Sequence, residues 1–313
     1  MEPDLDRSHA AVPGTEPRGK PPPGTPPGRP TLRLTYREPF DGDLLPFLGA
    51  RCVPGVEAFE AGRYRRSMSL PHGTAVAELT AGDGHVACAL RLDDERDLAA
   101  AVQRCRRLLD LDADPVAVSE RLARDRVLRP LVRRAPGRRL PGATDPFELA
   151  VRAVLGQQVT VAAARTLAGS LVAARGKPLA APAGAVTHVF PSPEALAEAD
   201  LREVGMPESR RAALRALASA VAGGDLSLDR DAPRAEVVAG LRALPGVGPW
   251  TAAYVAMRAL GDPDVFLAGD LGVRKAAARL GLPQTPRALE ERARAWRPWR
   301  SYAVLHLWGS LSS

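Results

Sequence analysis

Leu241-Arg242-Ala243-Leu244-Pro245-Gly246-Val247-Gly248-Pro249-Trp250-Thr251-Ala252 is the most informative stretch of the chain. A helix ends at Leu244. Gly246 and Gly248, two residues apart, let the backbone turn tightly at positive φ, which residues with a Cβ adopt only at a cost. Pro249 then starts a new helix, its φ already set and its missing N–H not needed there. Such a hairpin lines up free backbone N–H groups at a helix N-terminus, where the macrodipole also favours an anion. Leu244, Gly246, Val247, Gly248 and Thr251 are thus the candidate residues for holding a phosphate. The turn carbonyls near Gly246 and Gly248 can hold a monovalent cation, Na+ or K+. A hairpin of this type grips a backbone and does not read base edges. A plain packing joint between two helices would account for the same letters.

One helix further on comes Asp264-Val265-Phe266-Leu267-Ala268-Gly269-Asp270-Leu271-Gly272-Val273-Arg274-Lys275. This is an apolar segment, a Gly turn, then an Asp where a helix N-cap belongs. Read alone, Asp270 is a cap. Trp250 and Tyr254, four apart, share one helix face, a spacing that serves a core as well as a pocket. Arg274 and Lys275 follow on the next helix and suit either a phosphate or a solvated face.

Outward from these stretches the pattern is helical from about residue 114 to the end. Asp145-Pro146-Phe147-Glu148 is a helix start, with Asp as N-cap, Pro at the first helical position and Glu closing a capping box. Its helix runs to about Leu155. Gly156-Gln157-Gln158 interrupts it, and Val159 to Ala174 resumes helical spacing. Ser192-Pro193, Glu208, Pro233, Pro249, Asp270, Pro286 and Pro298 open further helices. Residues 31–113 read differently. Thr31 to Tyr36 and His85 to Leu92 alternate as strands, with Gly42 to Gly49 as a short helix and Val56 to Tyr64 as another strand between them. Asp94 to Leu109 fits a helix with Leu98, Val102, Cys105 and Leu109 on one face. Residues 1–30, with nine Pro and four Gly and no apolar period, read as a disordered tail. The expected fold is α+β: a small N-terminal domain of antiparallel sheet and helix (31–113), then two mostly helical subdomains (114–313) with a helix–hairpin–helix motif and a cleft between them.

Composition narrows the function. The 313 residues carry a net charge of +7, unevenly spread: zero over 1–30, −3 over 31–114 and +10 over 115–313. A basic region beside an acidic one suits a polyanionic partner. Nearly all the cations are Arg, eight of them between Arg121 and Arg139, a run that fits a solvated face or a DNA contact. No run approaches the roughly 18 apolar residues of a membrane span, and the first residues lack the features of a secretory signal. The chain is expected in the cytoplasm, at the nucleoid. Cys52, Cys88 and Cys105 are too widely spaced for zinc or an iron–sulfur cluster and read as buried thiols. His306 reads as a core histidine, and Trp296 and Trp299 as packing residues.

Hairpin, following helix, Gly-containing loop and Asp together resemble the helix–hairpin–helix glycosylase superfamily of base-excision repair, and within it the DNA-3-methyladenine glycosylase II (AlkA) type. Leu140-Pro141-Gly142, Asp145 to Glu148, Val151 to Val159 and Pro298 to Trp308 are similar to that family's blocks, in the same order, and residues 31–110 resemble its N-terminal domain. The resemblance implies a monomeric enzyme that binds duplex DNA, flips an alkylated nucleotide into a cleft and hydrolyses its N-glycosidic bond. It places the catalytic carboxylate on Asp270, the base pocket on Trp250, Tyr254 and Trp308, and the wedge that fills the emptied stack on Gln158. No cofactor is required by that chemistry. Trp250 stands where lyase members carry a Schiff-base lysine, and a Trp cannot be that nucleophile; hydrolysis without strand cleavage is implied. Two alternatives stay open at this point: a non-catalytic module that binds damaged DNA, and a glycosylase for oxidised or deaminated bases.

Overall fold

The computed structural model describes residues 15–17 and 31–311. The N-terminal unit comprises β1 (Thr15–Pro17), β2 (Thr31–Thr35), α1 (Leu44–Gly49), β3 (Glu57–Glu60), β4 (Arg63–Ser69), β5 (Thr74–Ala81), β6 (His85–Leu92) and α2 (Leu98–Leu108). Its six strands pair antiparallel in the order β1-β2-β6-β5-β4-β3. Residues 1–30 were expected to be disordered, yet Thr15–Pro17 pair with Leu32–Leu34 at the sheet edge; the rest of that tail lies outside the described residues. Val56 to Tyr64 is not one strand. Ala61 and Gly62 take φ of 49° and 75° and turn the chain into a β3–β4 hairpin, because both central residues of such a turn need positive φ.

Leu34, Tyr64, Leu79, Val86 and Cys88 pack from the sheet onto α1 and α2, where Val102, Cys105 and Leu109 are buried. Leu98 was expected on that buried face but begins α2 on the exposed side. The three thiols are free and buried.

The helical region holds α3 (Pro115–Leu122), α4 (Arg129–Arg134), α5 (Pro146–Leu155), α6 (Val161–Arg175), α7 (Pro193–Ala197), α8 (Glu208–Ala222), α9 (Arg234–Ala243), α10 (Pro249–Arg258), α11 (Leu271–Arg279), α12 (Pro286–Ala293) and α13 (Arg300–Gly309). Many start as the side chains dictate. Asp114, Asp145, Thr160, Ser192, Asp270 and Thr285 each accept a hydrogen bond from a first-turn backbone N–H, satisfying donors the helix leaves unpaired. Helical spacing does not hold throughout, however. β7 (Lys177–Ala183) and β8 (Val186–Val189) form a hairpin that packs Leu179, Val186 and Val189 against Ala58 and Val76 of the sheet.

Two apolar cores divide the helices. One is built from α5 to α10. The other joins α3 and α4 to α11, α12 and α13, so the second subdomain is discontinuous in sequence. Tyr254 and Val265 pack against both. The sheet is pinned to α5 by a buried ionic cluster. Arg66 donates to Glu57 at 3.2 Å and to Glu148 at 2.6 Å, and Arg152 donates to the same two carboxylates at 3.1 and 2.9 Å. Glu148 was expected to close a capping box; its carboxylate turns inward to these guanidiniums instead. Burial alone would raise the Glu57 carboxyl, but Arg152 and Arg66 outweigh it and hold it below its ordinary value. Among the described residues no helix is long and apolar enough to cross a membrane.

Candidate active site

The predicted hairpin joins α9 to α10. Leu244 leaves the helix in extended conformation and its carbonyl accepts from Val247 N at 3.2 Å. Gly246 turns at φ 74°, and a Cβ there would stand 2.9 Å from the Ala213 Cβ on α8. Gly248 differs from expectation: it takes φ −82° as the N-cap of α10, so only one of the two glycines serves positive φ. Val247 is buried in the core, while Gly246 and Gly248 are exposed. No side chain caps α10. Its first backbone N–H groups therefore have no side-chain acceptor, as at the starts of α8, α9 and α13.

From that end the first turns of α10 carry Trp250 and Tyr254, whose rings stack with centroids 5.2 Å apart and planes 16° from parallel. Trp250 Nε1 donates to Asp270 Oδ2 at 3.1 Å. Trp308, on α13, donates through its Nε1 to Asp270 Oδ1 at 2.8 Å. The same oxygen caps α11 by accepting from Val273 N at 2.8 Å. Asp270 is thus a helix cap and, at once, the point where two indoles from different elements converge. Gly272 makes room for this: a Cβ there would stand 3.0 Å from Trp308 Cδ1 and 3.1 Å from Asp270 Oδ1.

Trp250 and Tyr254 border a cavity of about 220 Å³ between α5, α6 and the N-terminal unit, which also meets Arg51, Arg152 and Arg258. Trp308 does not line it. It borders a neighbouring cavity of about 520 Å³ with Phe47, Arg138 and His306, and Arg51 touches both. The expected single cleft is therefore two adjoining hollows, and Asp270, expected to open into that cleft, is among the lining residues of neither. Arg51 lies 3.7 Å over the Phe47 ring, and Arg258 donates to Tyr254 Oη at 2.9 Å. Burial, with Arg258 and Arg152 nearby, lowers the Arg51 guanidinium to about 10.

Gln158 lies between α5 and α6, exposed and at φ 57°, a conformation that costs a residue with a Cβ about 1 kcal/mol or more. Gln157, Gly272, Arg51 and Arg258 carry no signal in the sequence that marks them for the site. Gln157 Nε2 donates to Gly246 O and to Thr251 Oγ1, both at 2.9 Å, so Thr251, buried, serves the hairpin from within. Arg274 and Lys275 are exposed on α11. Trp296 is fully buried and His306 nearly so, as their positions suggested. Burial lowers His306 to about 3.

Residues 31–145 match the AlkA N-terminal domain family, and residues 151–301 match the HhH-GPD superfamily of base excision DNA repair proteins. Escherichia coli DNA-3-methyladenine glycosylase 2 is 35% identical over 283 residues, covering 88% of this chain and 95% of that protein. The chain belongs to the HhH-GPD superfamily, in the branch with an AlkA N-terminal domain. A Mycobacterium tuberculosis protein named "Probable bifunctional transcriptional activator/DNA repair enzyme AlkA" is 51% identical over 282 residues, 90% of this chain. This chain spans only 57% of the length of that relative. The HhH-GPD fold is shared with a 3-methyladenine DNA-glycosylase structure from Archaeoglobus fulgidus at a TM-score of 0.77 and 24% identity, over 88% of this chain and 96% of that one.

Proposed function

We propose that the protein is a monofunctional DNA glycosylase that hydrolyses the N-glycosidic bond of alkylated purines, 3-methyladenine and 7-methylguanine among them, in duplex DNA. The observation that carries this reading is the Asp270 carboxylate held by the N–H groups of Trp250 and Trp308 beside the Trp250–Tyr254 stack. Family membership and the relatives' names support it.

The chemistry follows from the groups present. Alkylation at N3 or N7 leaves a formal positive charge on the purine, so the base departs without strong acid assistance. Ring faces attract such a cation by roughly 0.5–2 kcal/mol per contact. As the glycosidic bond lengthens, positive charge moves to the sugar, and Asp270 stabilises it and orients the incoming water. Extruding a base costs a few kcal/mol, least when it is damaged. The free amino end of α10 and the exposed hairpin backbone hold a DNA phosphate. The hairpin carbonyls can add a monovalent cation there, although Gly246 O already accepts from Gln157. With Trp250 in place of an amine, the product is an intact abasic site. The enzyme acts as a monomer, in the cytoplasm.

One observation favours a wider substrate range. The Arg51 and Arg258 guanidiniums meet the same cavity as the rings and can donate to acceptor atoms of a neutral, deaminated purine.

The test is incubation with methylated duplex DNA, scored for free base and strand breaks. Release of 3-methyladenine and 7-methylguanine with no strand break is expected. Tight binding without release would leave a non-catalytic damage-binding protein, and strand cleavage would refute the monofunctional assignment.

A further inference from the structure

Three segments meet at Gln157. Its side-chain amide donates to Gly246 O and Thr251 Oγ1, each at 2.9 Å. A carbonyl can only accept, which fixes the amide nitrogen toward the hairpin. Its own backbone carbonyl accepts from Arg210 Nη2 on α8 at 2.7 Å, and α8 also backs the hairpin, because Ala213 sits where a Gly246 Cβ would go. The next residue is Gln158, exposed at φ 57°. A residue with a Cβ stays in that region only when its neighbours hold it there.

We propose that Gln157 is a positioning residue that ties the hairpin to the loop bearing Gln158, so that gripping the DNA backbone and filling the vacated stack are one coupled event. This rests on the glycosylase reading for the roles of hairpin and wedge. Gln157, the residue next to Gln158, is bonded to the hairpin through its side chain. Moving the Gly246–Thr251 turn on contact with phosphate moves Gln157, and Gln157 carries Gln158 with it. Without the amide, Gln158 is free to relax from its strained conformation, and the hairpin loses the donor that orients its carbonyl.

The experiment compares wild type with Gln157→Leu, Gln158→Ala and the double variant, with Gln157→Met as a second replacement of similar length should the Leu variant melt early. Two binding readouts are taken on a duplex carrying a stable abasic analogue. One is the slope of log K against log[salt]; the other is fluorescence of a 2-aminopurine placed beside the gap, which reports unstacking. Gln157→Leu is expected to reduce the salt slope by about 0.9, one phosphate contact, and also to lower the fluorescence change at least about fivefold. Gln158→Ala is expected to lower the fluorescence alone, and the double variant to be no worse than Gln157→Leu, since coupled sites are non-additive. An unchanged salt slope in both Gln157 variants, or losses that multiply in the double variant, would overturn the coupling. Both readouts are binding measurements, so they judge Gln157 whether or not base is released; release by wild type judges the enzyme assignment separately.

Discussion

A carboxylate has about four lone-pair directions, and Asp270 uses three of them, on Val273 N, Trp308 Nε1 and Trp250 Nε1. One direction, on Oδ2, takes no bond from these three donors. The two indoles thus act twice, as rings and as donors, and replacing Trp by Phe separates the two. A hydrogen bond to a charged group is worth about 1.5–3 kcal/mol. Trp308→Phe and Trp250→Phe should each lower single-turnover base release by roughly 10- to 100-fold, with duplex affinity changed much less. Equal release from the Phe variants and wild type would mean that the N–H groups do not set the carboxylate. None of this pairing was legible in the sequence. Asp270 and the rings could be named from their blocks, but a 38-residue separation between Trp308 and Asp270 carries no spacing rule. Gly272, the small residue that admits the Trp308 edge, gave no signal either.

At the scale of elements, what could be read were the local signals. The caps at Asp145 and Asp270, the Pro at the start of α5 and α10, and the alternation of β2 and β6 all act within a few residues. What failed needed tertiary partners. The β7–β8 segment is Ala-rich and is a strand only because it pairs and packs on Ala58 and Val76; Pro178 and Pro182 were the available warning. Glu148 satisfied a capping-box pattern, yet it was drawn inward by Arg66 from a strand 82 residues away. Removing one partner of a buried pair costs about 3–5 kcal/mol, so Arg66→Met should shift the urea midpoint sharply while DNA contacts stay intact. Asp110 makes a second link between units, accepting from Leu140 N at 2.9 Å and Tyr302 Oη at 2.8 Å. Burial pushes its carboxyl up to about 6. A raised acid pKa means that the folded state holds the proton more tightly than the unfolded chain, so this group's contribution falls as pH rises from about 4 to about 6. Asp110→Asn has no charge to bury. Its stability relative to wild type should therefore grow across that window, by about 2–3 kcal/mol at most, read from urea curves at pH 4.5 and 8. A difference that does not vary with pH would contradict the assignment.

Over the whole molecule, the +10 charge of residues 115–313 is not one surface. Within the Arg121–Arg139 run, Arg124, Arg126, Arg133 and Arg134 are exposed, whereas Arg139 is buried and donates to the carbonyls of Asp110, Ala113 and Pro39. Arg139→Ala should lower thermal stability and leave the salt slope of DNA binding unchanged; a reduced slope would make it a phosphate contact. The fold brings the two helical subdomains together at Tyr254, and the uncapped start of α10, the stacked rings and the cap of α11 all gather along that junction. The functional claim therefore reduces to one carboxylate at the meeting point of the subdomains. Asp270→Asn keeps an oxygen for the Val273 cap and removes the charge. The most direct measurement is single-turnover release of 7-methylguanine from methylated duplex by Asp270→Asn beside wild type, with duplex affinity measured in parallel. Release is expected to be abolished with affinity retained within a few-fold; release at the wild-type rate would rule out Asp270 as the catalytic carboxylate.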